Sequence, residues 1–412
     1  MDKNKRLTVW LPVIIAASIA LGIFIGNHYL SISQGKKRSY SSGNKINAIL
    51  DIIDEQYVDT VSMSKLVEST IPKIFSELDP HSVYIPAEDA SVVNEELEGS
   101  FSGIGVSFNM QTDTILVISV ISGGPAEKAG LLPFDRIISI NDSIFSGKKK
   151  NQGEIMKTLR GAKNSTVKLG VQRGNSPELL YFDVTRGDVP VNSVDVSFEA
   201  AKGIGYIKVS KFARNTYNEF ITAIAKLKQA GCTSFVIDLR GNTGGYMDAA
   251  INMINEFMPE GRLIVYTEGK SFPRSDVYAN GTGTCKDAPI VVLTDEISAS
   301  ASEIFSGAIQ DNDRGTIIGR RTYGKGLVQT QMSLSDGSEM RLTIARYYTP
   351  SGRCIQKKYE MGNTDAYDQD IYNRYMHGEF DSADSIKMDD SLKYQTVGGR
   401  TVYGGGGIMP DI

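Results

Sequence analysis

The chain has 412 residues, of which 41% are hydrophobic and 22% charged, the composition of a globular protein. This length predicts about two to four domains rather than one. The formal net charge of -4 argues against a nucleic-acid partner, because no surplus of Lys and Arg is available to neutralise phosphates.

An apolar segment follows a short basic start. Residues 1–7 include Lys3, Lys5 and Arg6, whereas residues 8–26 carry no charged side chain. About 19 helical residues span roughly 28 Å, enough to cross the hydrocarbon core of a membrane. The positive-inside rule therefore predicts a cytoplasmic stub at 1–7 and a transmembrane anchor at 8–26. A cleaved signal peptide is the alternative, although no clear A-x-A site follows the apolar run.

This orientation predicts a single-pass protein of the inner (cytoplasmic) membrane, with everything after the anchor on the periplasmic or extracytoplasmic side. Residues 27–43 are polar and rich in Ser, Gly and Lys, which predicts a linker. Residues 44–98 form a helical region, because apolar side chains recur there at helical spacing: Ile46, Ile49, Leu50, Ile53, Leu66, Ile71 and Ile74.

The remaining chain divides into a β-rich module at 99–187 and a strand–helix alternation at 188–360. The module has strand-like runs at 114–120, 136–141 and 167–172, and a helix at 153–160. The alternation predicts strands at 205–209, 234–239 and 290–293, with helices at 215–230, 247–257 and 301–310. It indicates an α/β sheet domain, to which residues 361–412 are assigned as a closing segment.

Cysteine and histidine limit the chemistry of this α/β domain. Cys232, Cys285 and Cys354 are isolated, so they predict neither a disulfide framework nor a metal site. Residues 189–357 contain no histidine. A serine hydrolase built on these residues would therefore need a base other than histidine.

A run of small residues, SASASE at 298–303, follows a predicted buried strand and opens a helix. A nucleophile is held exposed in this way, beside helix N–H groups that stabilise an anion. The alternative is that Ser298 or Ser300 only caps the helix.

Two glycine-rich segments, like the serine segment, follow predicted strands. TYGKG at 322–326 places Lys325 between glycines that allow close backbone approach, although a solvated lysine is the simpler interpretation. It lacks the pattern of a phosphate-binding loop. DLRGNTGG at 238–245 offers N–H groups for an oxyanion hole or forms an ordinary turn. All three segments follow predicted strands of one sheet, where α/β ligand sites form.

Taken in chain order (238–245, then 298–303, then 322–326), these three segments resemble those of the C-terminal processing peptidases, or tail-specific proteases. The resemblance extends to LDPHSVY at 78–84, GIGV at 103–106, GPAEKAGL at 124–131, RYYTPSGRCIQ at 346–356 and GGGGIMP at 404–410. It implies Ser300 as the nucleophile, Lys325 as the general base and Gln329 as the residue that orients the lysine. It also implies an oxyanion hole from the backbone N–H of Ala301 and of Gly244 or Gly245.

The resemblance identifies 99–187 as a PDZ-like domain, in which Gly103, Ile104, Gly105 and Val106 would capture a substrate C-terminus by strand addition. Arg160 ends the helix that would line this groove. It either serves as a favourable charge at the helix C-terminus or senses an occupied groove and gates the enzyme.

The expected function is a membrane-anchored serine endopeptidase that cleaves envelope proteins recognised by their C-terminal tails. The resemblance implies no metal, nucleotide or prosthetic group. Its expected partners are protein substrates with accessible C-termini and the membrane. The resemblance also allows a homodimer through 44–98 and an adaptor or regulator protein. A catalytically inactive, membrane-tethered PDZ scaffold is the alternative.

Overall fold

A computed structural model describes residues 16–23, 42–111, 114–146, 152–382 and 385–412. The chain divides into two compact units, residues 1–70 and residues 71–412. Of the expected anchor, residues 16–23 are helical, and the rest of 8–26 lies outside the described residues, as do the stub and most of the linker. Among the described helices, none has the length and apolar character required to span a membrane.

The predicted helical region contains helices and one strand. The two helices expected from the apolar spacing are α1 (Ser42–Gln56) and α2 (Met63–Ser76), and they are followed by β1 (Val83–Ile85) and α3 (Ala87–Glu98). The region predicted as helical, 44–98, therefore also contains the short strand β1. This strand pairs antiparallel with residues 339–341, so its partner lies too far along the chain for local periodicity to reveal it.

The β-rich module forms a five-strand path with a sixth strand at its side. Its elements are β2 (Ser100–Gly103), β3 (Val106–Gln111), β4 (Thr114–Val120), α4 (Pro125–Ala129), β5 (Arg136–Ile140), β6 (Ser143–Ile144), α5 (Gln152–Leu159), β7 (Thr166–Gln172), β8 (Leu180–Thr185) and β9 (Gly187–Pro190). The strand order is β3-β4-β5-β7-β8, with β6 on β5, and β2 pairs separately with β9. The predicted boundary at 187 cuts β9 and is too early by about one short strand.

The α/β domain begins with a mainly parallel sheet. Its elements are β10 (Val194–Ala201), β11 (Ile204–Val209), α6 (Thr216–Gln229), β12 (Ser234–Asp238), α7 (Met247–Asn255), β13 (Leu263–Glu268), β14 (Ser275–Tyr278), β15 (Ile290–Thr294), α8 (Ala301–Asp311) and β16 (Thr316–Gly319). The sheet order is β10-β11-β12-β15-β16, in which β11, β12, β15 and β16 run parallel. Their carboxyl ends therefore meet at one edge, as the sequence predicts.

The chain after β16 contributes two strands to a second sheet. β17 (Leu327–Ser333) and β18 (Glu339–Tyr348) pair with each other, and β18 lies between β1 and β13 in the order β1-β18-β13-β14. The chain then forms α9 (Thr364–Asp368), α10 (Asp370–Met376), a short 3-10 helix (Asp390–Leu392), β19 (Lys393–Gln395) and β20 (Thr401–Tyr403). Because β17 follows β16 after a short loop, this loop lies between the two sheets.

A continuous apolar core fixes the parallel sheet and its helices. Phe257 makes edge-to-face contacts with Phe220, Phe235 and Phe305 at centroid distances of 6.2–6.4 Å. Each such aromatic pair contributes about 0.5–1.5 kcal/mol beyond the burial of its surface. Helix α8, which carries the serine-rich segment at its start, is thereby held rigidly against the sheet.

Candidate active site

Ser300 lies on a strained turn between β15 and α8. Its φ of 56° and ψ of -114° place a non-glycine residue in a region that L-residues rarely adopt. Such strain persists only where the surroundings enforce it, and it is concentrated at functional sites. Ser300 is also the N-cap of α8, so capping and exposure of the hydroxyl at the helix N-terminus occur together.

The other two serines of this segment have structural contacts. The Oγ of Ser298 donates to the Leu239 carbonyl at 2.8 Å, and the Oγ of Ser302 donates to the Asn242 carbonyl at 2.9 Å. Both bonds tie the serine segment to the glycine-rich loop after β12. Of the three serines, Ser300 is the one that lines a cleft, together with Gly245 and Gln329.

Glu303 joins the Ser300 turn to the lysine loop. Its Oε2 accepts hydrogen bonds from the backbone N–H of Ser300 and of Lys325, each at 2.9 Å. Its Oε1 accepts from the Gly324 N–H at 2.7 Å and from the Thr322 hydroxyl at 2.5 Å. Burial raises the pKa of Glu303 to about 7, against the lowering effect of these hydrogen bonds.

Lys325 is partly buried, and its amine has no hydrogen bond or ion pair among the described residues. Burial lowers the pKa of this amine, and the nearby Arg341 cation lowers it further, while Glu303 and Asp79 act in the opposite direction. The Tyr347 hydroxyl donates to the carbonyl of Ser300 at 3.1 Å and also bonds the carbonyl of Lys325. The structure therefore fixes the two backbones beside each other.

Gln329 has a different partner from the one expected. Its Nε2 donates to the Thr343 Oγ1 at 3.2 Å across the β17–β18 pair, where the two residues are register partners. No hydrogen bond joins Gln329 to Lys325 in the part of the chain that the structure describes. Gln329 lies near the start of β17, which begins at Leu327.

The two glycines of the 238–245 segment have different environments. The Gly244 N–H donates to the Asn242 Oδ1 at 2.8 Å, so it is already used. A Cβ at Gly244 would lie 2.7 Å from the Ser300 Cβ, so only glycine fits against the serine turn. Gly245 lines the cleft, and within the described residues neither its N–H nor that of Ala301 has an acceptor. Of the two glycines, this arrangement favours Gly245 as the candidate oxyanion-hole donor.

Ser300 opens onto a cleft of about 290 Å³. Its walls come from the start of α7, the start of α8 and strand β17, and they include Ala301, Gly245, Tyr246 and Gln329. A larger cavity of about 1080 Å³, lined by residues within 346–367, does not include Ser300. Among the described residues, no group of His, Cys, Asp and Glu side chains is arranged to hold a metal ion.

His81 lies closer to the site than its position in the sequence suggests. The imidazole Nε2 is 3.0 Å from the Tyr367 hydroxyl. Burial and then the nearby charge of Lys325 lower the pKa of His81 to about 4, so the ring is neutral at pH 7. The absence of histidine from residues 189–357 holds, and the histidine near the site comes from an earlier segment of the chain.

Two contributors to the site were not identified from the sequence. The sequence analysis assigns no role to Glu303, the last residue of the SASASE segment. The S-x-x-E spacing over 300–303 is that of a capping box and could have identified it. Tyr347 has no comparable local signal, because its two acceptors come from separate loops.

The GIGV segment connects β2 to β3 of the β-rich module. Ile104 is buried, and Gly105 has a φ of 77° that favours glycine. The Ile104 carbonyl accepts from the Ala126 N–H at 2.7 Å, and the Gly105 carbonyl accepts from the Ile121 N–H at 3.0 Å. Gly103 ends β2, and Val106 begins β3, which is an edge strand of its sheet. An extended peptide can therefore add to β3.

Arg160 follows the last residue of α5 and points to α3. Its Nη1 is 3.1 Å from the Glu95 Oε2, and its guanidinium lies 4.5 Å from the centre of the Phe101 ring. A Cβ at Gly103 would lie 3.6 Å from the Arg160 Cγ, so the cation is adjacent to the expected tail-binding segment. Its side chain is therefore engaged with α3 rather than only with its own helix end.

Helix α3 also reaches the active-site cleft. The Glu98 carboxylate is bonded by Arg214 at 2.7 and 2.8 Å and by the Tyr246 hydroxyl at 3.0 Å. Tyr246 is the neighbour of Gly245. One helix thus contacts Arg160 at Glu95 and the cleft wall at Glu98.

A parallel α/β sheet that presents a strained serine at a helix N-terminus, tied through one carboxylate to a lysine loop, defines a serine hydrolase. Residues 203–365 match the model of peptidase family S41, and residues 102–195 match that of the PDZ domain. The chain is 35% identical over 318 residues to the carboxy-terminal processing protease CtpB of Bacillus subtilis (strain 168), covering 76% of this chain and 66% of that protein. It is 33% identical over 365 residues to a Staphylococcus aureus (strain N315) protein named "Probable CtpA-like serine protease", covering 87% and 72%.

The chain belongs to peptidase family S41 and contains a PDZ domain. The expected membership among C-terminal processing serine proteases is thereby confirmed. Among solved structures, the photosystem II D1 C-terminal processing protease is 28% identical, with a TM-score of 0.42, covering 76% of this chain and 90% of that chain.

Proposed function

We propose that this protein is a membrane-anchored endopeptidase that cleaves envelope proteins after its PDZ domain has bound their C-terminal tails, with Ser300 and Lys325 as its catalytic residues. The observation that carries the proposal is the set of bonds from Glu303 to the backbones of Ser300 and Lys325. These bonds hold a candidate nucleophile and a candidate base in adjacent loops, and Ala301 and Gly245 line the same cleft as Ser300.

The chemistry follows from these positions. The neutral Lys325 amine takes the proton of the Ser300 hydroxyl as Oγ attacks the scissile carbonyl carbon. The oxyanion that forms accepts hydrogen bonds from the Ala301 and Gly245 N–H groups. The Lys325 ammonium then gives its proton to the leaving amine, so the peptide bond breaks and an acyl-enzyme remains. Water, activated by the amine, hydrolyses this ester and restores the Ser300 hydroxyl.

A depressed amine pKa is required for this role. A lysine with an ordinary pKa near 10.4 would be almost fully protonated at pH 7 and could not accept the proton. Burial of Lys325 shifts the pKa in the required direction, and the Arg341 cation reinforces the shift. Activity should consequently rise with pH into the mildly alkaline range.

Cleavage of denatured casein by the full chain tests this function, with Ser300→Ala as the matched control. We expect cleavage that disappears in the variant and is unaffected by a chelator. Absence of Ser300-dependent cleavage would favour the inactive PDZ scaffold. Strong inhibition by EDTA that zinc reverses would contradict the assignment of the site.

Recognition of tails is proposed for the edge of β3 and the Gly103–Val106 segment. An added strand would place its terminal carboxylate at the N–H groups of this segment, beside the Arg160 cation. A substrate with a free apolar tail should therefore be cleaved faster than the same substrate with an amidated tail. Equal rates would show that the module does not read C-termini.

The proposed gate follows from the Arg160–Glu95 ion pair. A tail carboxylate that attracts Arg160 competes with Glu95, which lies on the same helix as Glu98 beside Tyr246. Binding of a tail can thereby alter the cleft wall next to Gly245. A homodimer through residues 44–98 and an adaptor protein remain further proposals, supported by the family resemblance alone.

Membrane anchoring is supported by the charge-free run at 8–26 and the basic residues that precede it. We place the catalytic domain on the extracytoplasmic side. Protease added to intact spheroplasts should digest the chain after about residue 45 and leave a small membrane-held fragment. Protection of most of the chain would contradict this orientation.

A further inference from the structure

The segment LDPHS at 78–82 forms a turn whose centre is the Asp79 carboxylate. Its Oδ1 accepts from the N–H groups of His81 and Ser82 at 3.0 and 3.1 Å, and its Oδ2 accepts from the Ser82 hydroxyl at 2.5 Å. Burial opposes ionisation of this group, but the hydrogen bonds outweigh it and the pKa of Asp79 lies below its usual value. Asp79 is thus a carboxylate at neutral pH, and a carboxylate can only accept hydrogen bonds.

A directed chain of hydrogen bonds leads from this carboxylate to Gln329. The Thr343 hydroxyl donates its single proton to the Asp79 Oδ1 at 2.9 Å. The Thr343 oxygen can then only accept at its second contact, which is the Gln329 amide at 3.2 Å. The Gln329 NH₂ group must therefore face Thr343. Its carbonyl Oε1 is then the remaining acceptor of that side chain, and none of the described residues donates a hydrogen bond to it.

The direction of this chain matters because the expected partner of Gln329 is an amine. The Lys325 ammonium that forms when the amine takes the Ser300 proton only donates, so Gln329 can orient this form only through Oε1. If the amide were reversed, its NH₂ group would face the lysine and repel the ammonium. Asp79 lies 264 positions from Thr343 in the sequence and still decides which end of Gln329 is presented.

The charges that face Lys325 come from several elements. Glu303 of α8 and Asp79 stabilise the ammonium, whereas Arg341 of β18 destabilises it. His81 also faces the lysine and is neutral at pH 7. Loss of the Asp79 charge would consequently favour the neutral amine.

We propose that Asp79 is a positioning residue that acts through Thr343 to fix the Gln329 amide with its oxygen available to Lys325. This inference rests on the proposed Ser–Lys function. Asp79 does not touch the reacting atoms. Its role is to impose one proton arrangement on the Thr343–Gln329 pair and to provide a negative charge near the base.

Steady-state kinetics of the full chain on a peptide substrate tests the proposal with three variants. Thr343→Val removes the hydroxyl, Thr343→Ser retains it, and Asp79→Asn replaces an obligate acceptor by an amide that can also donate. We expect Thr343→Val and Asp79→Asn to lower kcat roughly 10- to 100-fold with KM nearly unchanged, as for misplaced catalytic groups. Thr343→Ser should restore most of the rate.

The pH profile separates positioning from simple damage to the fold. Asp79→Asn removes a charge that raises the pKa of Lys325, so the rising limb of kcat should move to lower pH. Ser333→Ala, which removes a hydroxyl–carboxylate contact in the same strand pair, is the control and should leave kcat and its pH profile unchanged.

Wild type and Ser300→Ala are measured in the same assay. Absence of Ser300-dependent turnover in wild type would refute the proposed function itself. Active wild type with a Thr343→Val variant of equal kcat, or an Asp79→Asn profile with an unmoved limb, would overturn the positioning role alone.

Discussion

Replacement of Glu303 by glutamine tests how the two active-site loops are held together. Glutamine keeps the size of the side chain but offers only one acceptor oxygen. If this oxygen takes the place of Oε2, it retains the N–H groups of Ser300 and Lys325. The amide NH₂ then faces the Gly324 N–H and the Thr322 hydroxyl, which both donate to Glu303 in the wild type.

The magnitude follows from these two contacts. A buried donor without an acceptor costs about 1–3 kcal/mol, so the two together destabilise the protein by roughly 2–6 kcal/mol. A typical domain has a free energy of unfolding of about 5–15 kcal/mol, so the variant should fold with a clearly lowered Tm. Because the loops shift relative to each other, kcat should fall as well.

The pH dependence gives a second, sharper expectation. The pKa of Glu303 is raised from 4.5 to about 7, so the native state binds more protons than the unfolded state between these values. The stabilisation is fully present below pH 4.5 and is lost as pH rises through 7, by about 3 kcal/mol. Glutamine does not titrate. The stability gap between wild type and Glu303→Gln should therefore narrow from pH 4.5 to pH 8.

Urea unfolding at both pH values measures this gap. Glu296→Gln provides a control in the preceding loop, where the Arg320 side chain of the ion pair is 48% exposed and the pair contributes about 0–1 kcal/mol. A gap that widens with pH would show that the four hydrogen bonds outweigh burial and that Glu303 is ionised. This result would refute the reasoning.

Three other substitutions test separate parts of the site. Lys325→Arg should retain less than about a tenth of the wild-type cleavage rate, because a guanidinium stays protonated and cannot act as a base; a higher rate would exclude Lys325 as the base. Gly244→Ala should abolish cleavage and lower Tm, since its Cβ would lie 2.7 Å from the Ala299 carbonyl oxygen. Gly241→Ala is the control, because its Cβ would meet no atom within 4 Å, and it should have the smaller effect on cleavage. Equal losses of cleavage in the two variants would contradict the packing argument. Arg160→Ala should slow cleavage of tail-bearing substrates without affecting Tm by more than a few degrees, and unchanged turnover of those substrates would remove the gating role.

Much of the α/β domain could be predicted because its signals are local. Apolar runs such as 234–238 and 290–294 form parallel strands with one face buried and the other partly buried, and the helices between them have regular apolar spacing. The small-residue and glycine-rich segments mark the ends of those strands. Ser300, Lys325 and Gly245 therefore lie in loops at the carboxyl-end edge of the parallel sheet, as predicted from the sequence.

The contacts that complete the site could not be predicted in the same way. The chain from Asp79 through Thr343 to Gln329 joins segments from opposite ends of the sequence, and no periodicity encodes it. The resemblance implied that Gln329 orients Lys325, but in the structure the Gln329 amide donates to its register partner Thr343. His81 lies in the same turn as Asp79, and only the fold brings it near Lys325.

Identification of the acylated residue tests the central claim most directly. The full chain is incubated with an activated p-nitrophenyl ester, quenched within one turnover, digested and analysed by mass spectrometry. We predict a burst of nitrophenol with the acyl group on Ser300, and neither burst nor adduct in Lys325→Ala. An acyl group on another residue, or an equal burst in Lys325→Ala, would contradict the account.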